Sequence, residues 1–142
     1  MNVHIAKASQ QVMVLELEPT CLSLITLLRS KSVSQDDLIV IFKTLIQAAT
    51  IESKIDREKT ALEALNSRLI SSRYLVELKT AQEQFVLNEA LIAAAYSLHY
   101  KFQILGINLL TDPSTNNCSL ELGALYPNRI VLFVLPNTRV SI

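Results

Sequence analysis

From Ser34 to Leu105 apolar residues recur every three or four positions almost without interruption. Between Thr20 and Asp112 the chain has no proline, and Gly106 is the only glycine. Spacing of that kind lines one side of an α-helix. The first half of the stripe reads Ile41, Leu45, Ala48, Ile51, Ile55, Glu58, Leu62, Leu65 and Leu69, with a near-heptad rhythm in its later part. Around Ser71-Ser72-Arg73 the rhythm slips. It resumes through Leu75, Leu78, Ala81, Phe85, Asn88, Ile92, Ala95, His99 and Phe102, flanked by a second stripe of Leu87, Leu91, Ala94, Leu98 and Leu105. Serines compete for backbone hydrogen bonds inside a helix. The pattern therefore predicts two long helices, over 34–70 and 74–105, turning back on each other near 71–73. Left unbroken, the stretch would be a rod of roughly 108 Å at 1.5 Å per residue and would need a partner along its length. A helix apolar on two sides is buried on two sides, so Ala90–Leu105 is expected to be the most buried helix. Ala93-Ala94-Ala95 offers another backbone close approach.

Punctuation supports these limits. Ser34-Gln35-Asp36-Asp37 places a capping serine and two acids at a helix start. Gly106 suits a C-terminal cap with positive φ. Thr20 is read as the cap of a short helix over 20–30 that sets Leu24, Leu27 and Leu28 on one side.

The two ends change period. Residues 11–18 read as a strand whose second half alternates, with Leu15 and Leu17 opposite Glu16 and Glu18, and which stops at Pro19. Residues 118–135 read as a β-hairpin turning at Tyr126-Pro127-Asn128-Arg129. Its second strand, Ile130 to Leu135, carries no charge and belongs in the middle of a sheet. The predicted fold is thus α+β and mainly α, in one domain over 1–142. An antiparallel helical core, two long helices plus a short N-terminal one, carries a small antiparallel sheet made from the N-terminal strand and the C-terminal hairpin.

Composition adds a surplus. Of 142 residues 50% are hydrophobic and only 18% charged, and mean hydropathy is +0.32. Average charged content is about 25%, so this chain holds more apolar surface than a lone domain of its size usually hides. Subunit contact is the expected outlet. Lys+Arg and Asp+Glu are both 13. No basic run exists to displace counterions from a nucleic acid, which disfavours but does not exclude that partner. Two glycines are too few for a Gly-rich phosphate loop. The most apolar window, Ala90–Leu110, holds Lys101 and reads as a buried helix rather than a membrane span. Residues 1–10 lack the apolar core of a signal peptide, so an intracellular, cytoplasmic setting is expected.

Candidate chemistry is thin. His99 stands on an apolar helix with Lys101 two residues on, where phosphotransfer spacing would want three, and it reads as a hydrogen-bonded or partly exposed structural residue. Neither Asn88 nor Glu89 stands at a helical ligand spacing from it. Cys21 and Cys118 lie far apart and suggest neither a disulfide framework nor a zinc site. Glu16/Glu18 and Asp36/Asp37 fit a strand's solvent face and a helix start better than acid–base chemistry. The charged run Glu52–Lys59 reads as a solvated helix face. Tyr74, Tyr96 and Tyr100 with Arg68, Arg73 and Lys101 offer a weak pattern for base stacking.

The expectation is a non-catalytic interaction module, an adaptor, assembly factor or regulator, that binds itself as a homodimer or higher oligomer and also an unknown protein partner. No metal and no cofactor are expected. The residues expected at the interface are Leu62, Leu65, Leu69, Ile92, Leu98, Ile130, Leu132 and Val134. The alternative is a small regulator that binds RNA or DNA as an oligomer.

Overall fold

Proline, serine and threonine fix where the helices begin. A computed structural model of the chain describes residues 11–65, 80–107 and 118–136. Strand β1 (Gln11–Glu16) runs into helix α1 (Pro19–Ser30), with Glu18 rather than Thr20 as N-cap. Pro19 takes the first turn, where its missing N–H costs nothing. Helix α2 (Gln35–Ala49) starts at Ser34, whose hydroxyl accepts the Asp37 N–H at 3.2 Å. Helix α3 (Lys54–Leu62) runs on as a short 3₁₀ turn, Glu63–Leu65. The long helix α4 (Ala81–Ile104) is capped by Thr80, and strands β2 (Cys118–Leu125) and β3 (Arg129–Pro136) close the described chain.

The fold is α+β and mainly α, with four α-helices and a three-stranded antiparallel sheet of order β1-β3-β2 among the described residues. The uncharged strand is central, as its composition requires. Leu15, Ile130, Leu132 and Leu125 are buried on the inner face of the sheet. Gln35 Nε2 donates to the Leu125 carbonyl at 2.9 Å and ties the start of α2 to β2. Between Leu122 and Ala124 the register shifts at Gly123, and a Cβ there would come within 2.8 Å of the Phe133 ring. The bulge and the ring therefore depend on each other.

Helix α4 packs on α1, α2 and α3 at once through Leu87, Leu91, Ala94, Ala95, Leu98, His99 and Phe102. Two helices end in the same way. Gly106, at φ 72, donates to Gln103 O at 3.1 Å, and Ile107 N–H donates to Phe102 O at 3.0 Å. Ser32, at φ 65, donates to Arg29 O at 3.0 Å, and Val33 N–H donates to Leu28 O at 3.1 Å. Both are Schellman motifs, but the second holds a serine in the left-handed region that favours glycine. Ser32→Gly should raise stability by about 0.5–1 kcal/mol, measured as a shift of the urea midpoint at unchanged slope.

One expected element is corrected. The helix predicted over 34–70 breaks at 50–53: α2 ends at Ala49, Thr50 closes it, and Ser53 caps α3 by accepting the Asp56 N–H at 3.3 Å. The stripe that looked continuous does not cross this break. Ile55, a stripe position, is 77% exposed, and α3 buries Arg57 and Ala61 instead. Among the described residues the core therefore holds one long helix where two were expected. The second helix, predicted over 74–105, begins instead at Ala81, because Thr80 is extended at φ −132, ψ 155 and caps it by accepting the Glu83 N–H at 3.1 Å; the turn predicted at 71–73 lies outside the described residues.

Candidate interaction site

Three sides of α4 tell different stories. The side toward the protein is the core face just described. Along one flank Glu83 pairs with Lys31 at 3.1 Å, and Lys101 pairs with Glu18 at 3.4 Å, both partners belonging to α1 or its cap. The side facing away from the core is apolar yet open to solvent. Phe85, Tyr96, Tyr100 and Ile104 are each more than half exposed, and Ile92 and Ala93 between them are partly so. These positions follow at helical intervals, so they form one stripe from Phe85 to Ile104, roughly 30 Å of helix. Glu89 is the one charged residue within it. A long contiguous apolar strip is not how a solitary domain normally finishes its surface.

Beside the stripe, α3 and the start of α1 form a shallow groove of about 440 Å³. Ile92, Ala93, Tyr96 and Tyr100 make its apolar floor, while Lys54, Glu58 and Glu89 stand round it. Two stripe tyrosines therefore present both ring and hydroxyl next to charges of both signs. Aromatic side chains of this kind carry a large contact area with few rotatable bonds.

Among the described residues, buried polar groups outside this face are spent on the fold. His99 Nδ1 lies 2.9 Å from the carbonyl of Ala49 at the end of α2, in keeping with a structural histidine. Arg57, expected in a solvated run, is buried, and its guanidinium donates to Ile51 O at 2.8 Å and Glu52 O at 3.3 Å. Together the two side chains take up carbonyls left open where α2 stops. The Cys21 thiol is buried and donates weakly to Ala94 O at 3.9 Å. Burial, helped by the charge of Glu18 and opposed by a hydrogen bond with Thr20, pushes it up to about 12. A thiol so protonated at neutral pH is a poor nucleophile. Asp36 and Asp37 stand in the first turn of α2, and Glu16 is exposed on β1.

The residues expected at an interface divide. Leu65, Leu98, Ile130 and Leu132 are buried within the chain's own core. Leu62, Ile92 and Val134 keep part of their surface, and Leu69 lies outside the described residues, as do Arg68, Arg73 and Tyr74. Periodicity identified α4 as two-sided but assigned its faces imperfectly. The stripe through Phe85 and Ile92 is open, whereas the one through Leu87, Leu91 and Leu98 is the core face. Tyr96, Tyr100 and Ile104, which were not among the residues expected to make contacts, are exposed on the open face. Their spacing of four was a readable signal, masked by the stronger leucine pattern beside it.

No family model, curated protein or solved structure matches this chain. Among the described residues no helix is long and apolar enough to cross a membrane.

Proposed function

We propose that this chain is a non-catalytic, self-associating interaction module, an adaptor, assembly factor or regulator, acting through the outer face of α4. The observation that carries the reading is that face itself: an apolar stripe along most of a helix, from Phe85 to Ile104, whose opposite side is already the core. The stripe is close to symmetrical about Ala94. In an antiparallel pair of copies Phe85 of one chain would face Ile104 of the other, and Tyr96 would face Ile92 and Ala93. Glu89 would come near Tyr100 and Lys54 of the second copy, so the charges at the rim would match as well. Glu58 and Glu89 beside the exposed tyrosines count against a nucleic acid as the first partner.

Tyr96→Glu combined with Ile104→Glu tests the reading by sedimentation velocity. Both side chains are exposed, so the thermal midpoint of the monomer, read at a concentration too low for association, should stay put while self-association weakens on the order of 100-fold or more. A double variant that associates as tightly as the parent chain refutes α4 as the contact.

A further inference from the structure

A second surface, sharing no residue with the α4 stripe, lies at the edge of the sheet. Strand β1 is an outer strand, hydrogen-bonded to β3 alone among the described residues. Just past its end, the Leu17 N–H donates to the Asn128 carbonyl at 2.9 Å. In an antiparallel ladder alternate residues turn their backbone groups to opposite sides. Leu15 and Met13 therefore bond to β3, and Val12, Val14 and Glu16 turn their N–H and C=O groups outward. Natural edges are usually blunted by lysine, proline or a bulge. Gln11–Glu16 has none of these, and the one bulge in the sheet lies on the opposite edge, in β2. The same open residues carry apolar side chains: Val12 is 59% and Val14 60% exposed, next to the partly buried Phe133 and Val131 across the ladder.

We propose that β1 pairs antiparallel with β1 of a second copy about a two-fold axis at Val14, joining two three-stranded sheets into one. The edge is its own complement. Its outward groups sit evenly about Val14, so Val14 meets Val14 and Val12 meets Glu16, giving about six backbone hydrogen bonds. That axis keeps the inner faces on one side. Met13, partly buried against the core, then lies opposite Leu15 of the other copy, and the two cores join. On the outer side the two strips of Val12, Val14, Val131 and Phe133 merge into one apolar band. A second copy satisfies backbone and both faces in a single register. If the α4 face is engaged as well, two different two-fold contacts per chain carry the assembly beyond a dimer, a consequence that rests on the proposed function.

Disulfide capture tests the pairing on the full chain, in a Cys118→Ser background with buried Cys21 unchanged. Hydrogen-bonded partners in such a ladder stand ~5.5 Å apart at Cα, within disulfide reach. Val14→Cys should give a covalent dimer under mild oxidation, and Val12→Cys, facing Glu16, should do so at least about 10-fold more slowly. No dimer from Val14→Cys, or equal rates at the two positions, overturns the pairing. Repeating the capture with Tyr96→Glu separates the two surfaces. Cross-linking that persists supports the strand edge whether or not the α4 face holds. Cross-linking that vanishes assigns it to proximity created by α4 and overturns the edge.

Discussion

Phe102→Ala is expected to lower stability by about 3–5 kcal/mol, a large share of what a domain this size possesses. Phe102 is fully buried in the last turns of α4, where the helix meets the core. Truncation removes the ring from that contact and leaves a cavity that a close-packed interior fills only in part. Its carbonyl also accepts the Ile107 N–H that closes the helix, so the side chain and the C-terminal cap are anchored at one residue. Urea unfolding followed by circular dichroism reads the loss. Tyr100→Ala, two residues earlier on the open face, should change the monomer's stability by under about 0.5 kcal/mol. A small effect at Phe102 would mean that the core face of α4 has been assigned to the wrong side.

Arg57→Ala comes next, with an expected loss of about 2–3 kcal/mol. A lone arginine in a charged run is normally worth little on a surface. Here the residue is only 6% exposed and its guanidinium closes the break between α2 and α3 through the carbonyls of Ile51 and Glu52. Removing it takes away two charge-assisted hydrogen bonds to those part-buried carbonyls and the packing of a buried side chain. Arg57→Lys should recover only part of the loss, because both bonds come from Nη1 at the end of the longer guanidinium side chain, where the shorter lysine does not place its ammonium. Replacing the exposed neighbour Lys59 with alanine is the control and should lie within about 0.5 kcal/mol of the parent. If Arg57→Ala unfolds at the same urea concentration as that control, the break at 50–53 is not held as described.

Much of the architecture was legible because several local rules agreed. Ser34 and the two aspartates marked the start of α2, Gly106 marked the end of α4, and the uncharged run Ile130–Leu135 could only be a central strand. The break at 50–53 was hidden because Ile51 and Ile55 continue the helical rhythm. The competing signal was Ser53 with Asp56 three residues on, a second N-terminal cap, and the cap won. The burial of Arg57 and the partner of His99 were unreadable for a different reason. Both depend on carbonyls exposed by that break, and His99 reaches one 50 residues away. The open face of α4 was half legible. Composition announced surplus apolar surface, but only packing decides which of two stripes is covered, and α1, α2 and α3 cover the leucine one.

The central claim is that this chain carries an apolar helix face made to be covered by another molecule of its own kind. Sedimentation equilibrium of the unmodified chain from low to high micromolar concentration tests it most directly. The expected result is a mass that rises with concentration from 15.8 kDa toward multiples of that value. A single species of 15.8 kDa throughout the range would contradict it.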